Sequence, residues 1–301
     1  VPGLVDTTPR SIGRFTCAAI GFGCWRLTSG SVTDDAALVA VALDQVDAPL
    51  LVDDADVYGL DWGGAGFGAC EQALGDVLRL HPGWRDRIVL ATKGGIVPGV
   101  PYDSSPAALV GACEASLRRL GVDHVDLYQV HRPDTFTHPA RVAEAMMSLR
   151  ERGLVVEFGV SNHTPTQTTA LQAHLHVPLA TTQPEWSVAH LDPMRDGTFD
   201  LCMERGLTPI AWSPLAGGRL ATGDGASDAL IAELDRIADR ERVDRAVIAI
   251  AFTLAHPVRP VTLLGTQRTD RLVEQFGAAG VTLDRADVYA LVAASDGQPL
   301  P

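Results

Sequence analysis

Arg87-Ile-Val-Leu-Ala-Thr-Lys-Gly-Gly95 carries the only lysine of the chain, one among 24 basic residues. The five residues before Lys93 are short, apolar or β-branched, and glycines follow, so the run reads as a buried strand ending at Lys93. An ammonium is a compact point charge whose pKa moves readily on burial, whereas a guanidinium stays protonated and presents a rigid fork. A bias toward arginine explains a surface without lysine. It does not explain one lysine kept at a strand end. Two readings stand open at this point, a structural buried ion pair and a working cation.

Similar apolar runs recur on either side: Ala19-Ile-Gly-Phe-Gly, Leu50-Leu-Val-Asp, Val125-Asp-Leu-Tyr-Gln-Val, Val155-Val-Glu-Phe-Gly-Val, Leu179-Ala-Thr-Thr-Gln, Thr208-Pro-Ile-Ala-Trp and Val261-Thr-Leu-Leu-Gly. Between them the pattern predicts helices over 34–46, 67–79, 106–119, 139–151, 165–174, 196–205 and 269–278. Several follow a capping residue or an early proline, as at Asp34, Ser105-Pro106 and Thr164-Pro165. Eight strands apolar on both faces, alternating with helices, predict an α/β fold of the (β/α)8 TIM-barrel type. Thr16 to Cys24 reads as part of an N-terminal hairpin leading into the first strand. The segment 230–256 holds two helical stretches and 284–294 another, so extra helices decorate the C-terminal third. The glycine-rich stretch 215–226 reads as a mobile loop. An open doubly wound sheet is the rival, but it requires G-x-G-x-x-G after its first strand, and Gly21-Phe-Gly-Cys-Trp-Arg26 lacks the third glycine. No repeat or linker divides residues 1–301, so one domain is expected.

The formal charge of 24 − 37 = −13 and the lack of an arginine stripe argue against a nucleic-acid partner. Five cysteines without close pairing suit free thiols in a reducing compartment. No signal-like segment opens the sequence and no apolar run is long enough to span a bilayer, so a cytoplasmic protein without a membrane partner is expected. The nine histidines form no H-E-x-x-H, and no metal site is expected.

In a barrel of this type the C-terminal strand ends form the active face. Asp53, Lys93, His131, Ser161-Asn162, Gln183 and Trp212-Ser213 stand there, with Tyr58 in the loop after Asp53. A lone strand-end Asp or His more often anchors a loop. Asp, Tyr, Lys and His converging from successive strands suit proton transfer at a carbonyl or alcohol. A phenol gives its proton to a forming alkoxide, and a neighbouring cation eases the reverse step. Asp53 would hold Lys93 and keep it charged, and neutral His131 would orient the substrate oxygen. No side chain here is a hydride donor, so a cofactor must supply one.

These segments resemble the aldo-keto reductase family: Val52-Asp-Asp-Ala-Asp-Val-Tyr-Gly, Leu90-Ala-Thr-Lys-Gly, Asp126-Leu-Tyr-Gln-Val-His-Arg-Pro, Gly159-Val-Ser-Asn-His and Trp212-Ser-Pro-Leu-Ala-Gly-Gly, in the family's order, across residues 12–295. Gly23-Cys-Trp-Arg-Leu, Arg132-Pro-Asp and Asp196-Gly-Thr are most similar to a bacterial branch of poorly characterised oxidoreductases. The resemblance implies a single reductase-like barrel, monomeric or a small homo-oligomer, that reduces an aldehyde or ketone with NADP(H) preferred and NAD(H) as the alternative. It makes Tyr58 the general acid, Lys93 and Asp53 its tuning pair, and His131 the orienting residue. Ser161, Asn162 and Gln183 would hold the nicotinamide carboxamide, with Trp212 stacked on the ring. Ser213, Leu215, Gly217 and Arg219 would cover the pyrophosphate. Gly265, Thr266, Arg268, Arg271 and Gln275 would meet the adenosine phosphate.

Asp54 replaces the family's usual threonine and is read as facing outward. Asp270 lies between the two arginines and would oppose a 2′-phosphate, which keeps NAD-dependent oxidation of a sugar or alcohol open. A Schiff-base aldolase using Lys93 and a non-catalytic nucleotide-binding barrel are the other readings. Trp25, Trp62 and Trp186 are expected to line the mouth for a small carbonyl substrate, though each is equally a loop-packing residue. Arg132 would meet an anionic substituent or pair with Asp134.

Overall fold

The computed structural model describes residues 3–28, 30–60 and 65–298. An antiparallel hairpin, β1 (Arg10–Ile12) and β2 (Phe15–Cys17), comes first. The barrel strands are β3 (Ile20–Gly23), β4 (Leu50–Asp53), β5 (Ile88–Gly94), β6 (Val125–Val130), β7 (Val155–Ser161), β8 (Thr181–Gln183), β9 (Thr208–Ala211) and β10 (Val261–Leu264). They pair in parallel and close in the order β10-β3-β4-β5-β6-β7-β8-β9. Helices α1 (Val32–Asp44), α2 (Ala69–Leu80), α3 (Pro106–Leu120), α4 (Pro139–Glu151), α5 (Pro165–Gln172) and α6 (Thr198–Arg205) alternate with the strands. Helices α7 (Arg219–Thr222), α8 (Asp228–Glu241) and α9 (Arg245–Leu254) lie between β9 and β10, and α10 (Thr269–Phe276) and α11 (Arg285–Asp296) follow.

Alternation along each strand sorts its side chains between two cores. Leu51, Val89, Ala91, Leu127, Ala180, Ile210, Val261 and Leu263 pack inside the barrel with Ile12 and Cys17 of the hairpin. Val52, Leu90, Tyr128, Val130, Phe158 and Val160 belong to the larger core that includes the helices. The hairpin sits where strands begin: Ser11 O accepts from Thr208 Oγ1, and Arg14 pairs with Glu157. One barrel mouth is therefore covered, and polar chemistry is left to the other.

The hairpin lies earlier than the segment expected for it, because Gly13, at φ 55°, makes its turn and β3 is already a barrel strand. The stretch expected as a mobile loop is largely folded: a 3-10 turn at Ala216–Gly218 runs into α7. Left-handed glycines supply its bends and Leu220 is buried. Helix starts follow their caps, with Ser105 Oγ accepting from Ala108 N ahead of Pro106, and Thr164 closing a capping box with Gln167. No helix among the described residues is long and apolar enough to cross a membrane.

Candidate active site

Strand register brings Lys93 beside Gln129, Gln129 beside Gly159, and Gly159 beside Thr181. These positions form a polar layer above the apolar barrel interior. Gly159 is required there, because a Cβ would lie 1.9 Å from Thr181 Oγ1. Its missing side chain leaves room for Thr181 Oγ1 to donate to Gln129 Oε1 at 3.0 Å. Gln129 Nε2 lies 3.5 Å and Gln183 Nε2 3.0 Å from Asp53 Oδ1. The other carboxylate oxygen, Asp53 Oδ2, accepts from Lys93 Nζ at 2.7 Å.

Lys93 is fully buried, and its three ammonium hydrogens have three acceptors: Asp53 Oδ2, the Asp54 carbonyl at 2.9 Å and Tyr58 Oη at 2.9 Å. Burial alone would depress the lysine pKa, but Asp53 and Tyr58 more than offset it and hold the pKa above its ordinary value. The ammonium that pairs with Asp53 is thus the same one that is set against the Tyr58 hydroxyl. Burial pushes the Tyr58 phenol up to about 12, although Lys93 acts the other way. His131 packs edge-on to Tyr58 with ring centroids 5.6 Å apart. Burial first, then Lys93 and Arg132, depress its pKa well below the usual histidine value, so the ring is neutral. Its Nδ1 is buried without a hydrogen-bond partner among the described residues.

The residues after β7, β8 and β9 lock together beside this set. Ser161 Oγ donates to Gln183 O at 2.9 Å, and Asn162 Nδ2 donates to Ser161 Oγ at 2.8 Å and to His131 O at 3.3 Å. Trp212 Nε1 donates to Asn162 Oδ1 at 3.2 Å, while Asn162 sits at φ 56°. A left-handed asparagine held from three sides is a strained but fixed fitting, of the kind found at ligand sites. Ser213, also left-handed, accepts from Gly217 N at 2.9 Å, and Leu215 packs against the core. Arg219 turns back to the Ala216 carbonyl, 2.9 Å from its Nε. Past β10, Gly265 is exposed, Thr266 Oγ1 accepts from Arg268 N, and Gln275 is buried. Arg268 pairs with Asp270 while Arg271 stays exposed.

The aromatic residues expected at the mouth separate. Trp25 is 45% exposed beyond β3, with the Arg26 guanidinium 5.1 Å from its ring centre. Trp62 lies outside the described residues. Trp186 does not line the mouth. It is 1% exposed, packed on Phe199, Phe252 and His256, and donates to Thr253 O. Its indole N–H has a backbone partner and its ring an apolar shell, which suits a core tryptophan. Arg132 is half-buried, and no ion pair joins it to Asp134 among the described residues. Asp134 instead accepts from Ser104 N, Phe136 N and Thr137 Oγ1. Asp54 also departs from its expected placement: instead of facing outward it is fully buried.

Gln129 and Thr181 escaped the sequence reading. The signal for Gln129 was available, since it is two residues before His131 on the same strand and so shares its face. Thr181 carries no such mark without the register that places it opposite Gly159.

Comparison with known proteins matches residues 19–296 to a model described as the aldo/keto reductase family. A 6-dehydroglucose reductase of Novosphingobium aromaticivorans is 45% identical over 94% of this chain and 93% of its own length. A protein of the same name from Agrobacterium fabrum is 34% identical over 95% of this chain and 96% of its own length. The crystal structure of the thermostable aldo-keto reductase Tm1743 superposes with a TM-score of 0.81 at 23% identity, covering 95% of this chain and 99% of that one. That likeness concerns the fold alone. With a closed parallel barrel, a Tyr-Lys-Asp-His set at its open mouth and a family match across nearly its whole length, this chain belongs to the aldo/keto reductase family.

Proposed function

We propose that the protein reduces an aldehyde or ketone to an alcohol using NADP(H), with Tyr58 as the proton donor. The observation that carries this reading is the 2.9 Å contact between Lys93 Nζ and Tyr58 Oη, with Asp53 fixed behind the ammonium. A phenol with pKa near 12 stays protonated at neutral pH and is available as an acid. As the carbonyl carbon is reduced, its oxygen gains charge and takes the Tyr58 proton, and the Lys93 ammonium stabilises the phenolate left behind. Neutral His131 directs the substrate oxygen toward that hydroxyl.

The residues present fit a nicotinamide dinucleotide. Asn162, Ser161 and Trp212 form a fixed polar and aromatic wall, and Gly217 and Gly218 have open space where a Cβ would stand. Helix α10 begins at Thr269 with no side-chain cap from Arg268, and a phosphate beside Arg268 and Arg271 would take the place of the Asp270 carboxylate at its first backbone N–H groups. When bound, the cofactor supplies the hydride.

The Schiff-base reading requires a neutral amine, and Lys93 is held charged with every N–H engaged. The names of two relatives favour a sugar-derived carbonyl as substrate. Oxidation of NADPH with a panel of aldehydes and ketones that includes 6-dehydroglucose tests the proposal. Cofactor binding without turnover on any member would favour a nucleotide-binding barrel. Faster alcohol oxidation with NAD than any reduction would favour the dehydrogenase reading.

A further inference from the structure

Three more carboxyl side chains are buried near Lys93. Asp54, Asp56 and Glu71 are 0%, 2% and 0% exposed. Among the described residues, the cations that act on Asp54 and Asp56 are Lys93 and Arg119, and both are taken. Lys93 pairs with Asp53 at 2.7 Å, and Arg119 Nε donates to Glu71 Oε2 at 2.7 Å. The remaining Glu71 oxygen accepts from Thr92 Oγ1 at 2.5 Å. Asp54 Oδ1 accepts from Ala55 N at 2.8 Å, but its Oδ2 and Asp56 Oδ1 are buried without a hydrogen-bond partner among the described residues. A buried carboxylate with a bare oxygen and no cation is strongly disfavoured, and taking up a proton removes the charge.

The surroundings point the same way from each packed element. Asp54 faces Glu71 of α2, Lys93 of β5, neighbouring Asp53, and the thiols of Cys24 and Cys70. Asp56 faces Glu71, Arg119 of α3, Lys93 and Tyr128 of β6. Burial first, then Glu71, pushes Asp56 up to about 8 and Asp54 well above the ordinary carboxylate value.

We propose that Asp54 and Asp56 are held as neutral acids and serve as positioning residues, so that the Lys93 ammonium has one carboxylate partner and turns its remaining field on Tyr58. The functional half of this proposal rests on Tyr58 being the proton donor. Asp54 contributes twice, since its carbonyl takes one Lys93 hydrogen and its Oδ1 pins the next amide of the same turn. Ionising either acid would set a second carboxylate near the ammonium and make the phenolate of Tyr58 harder to form. Alcohol oxidation, which begins when that phenolate takes the hydroxyl proton, would suffer most.

Asp54→Asn and Asp56→Asn keep the shape and cannot ionise. A carboxyl neutral in the fold but ionised in the unfolded chain makes folding take up a proton. The folding constant then falls as pH rises from the unfolded carboxylate pKa to the folded one, about tenfold per pH unit for each group. Each variant should remove about one such factor of ten per unit between about pH 5 and 7. The wild type should also show a protonated-carboxyl infrared band at neutral pH that weakens in each variant, a readout that needs neither variant to be stable. In the oxidative direction, Asp56→Asn should move the alkaline rise of kcat to lower pH with KM for the cofactor unchanged. Unaltered folding slopes with no protonated-carboxyl band overturn the neutral acids. Altered slopes with an unmoved alkaline profile overturn the positioning role. If Tyr58→Phe stays active, the donor assignment itself fails, and the folding slopes still decide the state of the acids.

Discussion

Gln183 Nε2 lies 3.0 Å from Asp53 Oδ1, on the carboxylate oxygen that Lys93 leaves to other donors. The amide expected to help hold the nicotinamide carboxamide braces the base of the Lys93 pair. Gln183→Leu should cost about 1.5–3 kcal/mol of stability, the range for a buried hydrogen bond to a charged group. Reductase kcat should fall with it. Denaturant titration together with cofactor titration checks this, and a change in cofactor affinity alone, at full stability, would return Gln183 to a purely ligand-facing role.

On the proposed mechanism, Tyr58→Phe removes the proton donor and little else. Reduction should slow by about 10²–10⁴-fold, the usual weight of a general acid, while the cofactor dissociation constant stays close to that of the wild type. Single-turnover kinetics with a saturating aldehyde measure it. A variant that kept half its turnover would show that another group delivers the proton.

Arg268 is held by Asp270 across an exposed ion pair. Solvent screens such an exposed pair so that it contributes little, and a 2′-phosphate would displace Asp270 at small cost. Asp270→Asn should therefore tighten NADPH more than NADH, and Arg268→Ala or Arg271→Ala should weaken NADPH selectively. Dissociation constants for both cofactors at low and moderate salt provide the comparison. Equal losses for the two cofactors in the arginine variants would end the phosphate argument.

His131 predicts a pH trend opposite in sign to that of the buried acids. Its pKa is depressed in the fold, so the unfolded chain takes up a proton that the folded chain refuses. The stability it contributes is complete above the unfolded value, about 6.5, and is lost as pH falls below it. His131→Asn should flatten that acid-side loss by about one proton, seen as a shallower dependence of unfolding free energy on pH. An unchanged acid limb would mean that the ring is already charged in the folded protein.

The barrel was legible because its strands are short apolar runs separated by capped helices, a pattern that needs no tertiary knowledge. Asp53, Tyr58, Lys93 and His131 were legible because they are polar residues at the ends of such runs. What the sequence withheld depends on register and packing. Trp186 looks like a mouth residue by position along the chain, but its ring is enclosed by α6 and α9. Asp54 was read as facing outward because it follows the inward Asp53 and strand neighbours alternate in direction. Only the packing of α2 and α3, which bring in Glu71 and Arg119, shows that no cation among the described residues is left for Asp54 and Asp56.

The burial of Lys93 has one more effect. Because it is the only lysine and is 0% exposed, no side-chain amine reaches the surface, where arginine carries the positive charge. Reactive aldehydes form imines with amines, and the proposed carbonyl reduction would bring such compounds to this site. They would find no exposed lysine to modify, and the one side-chain ammonium is buried with all its hydrogens engaged.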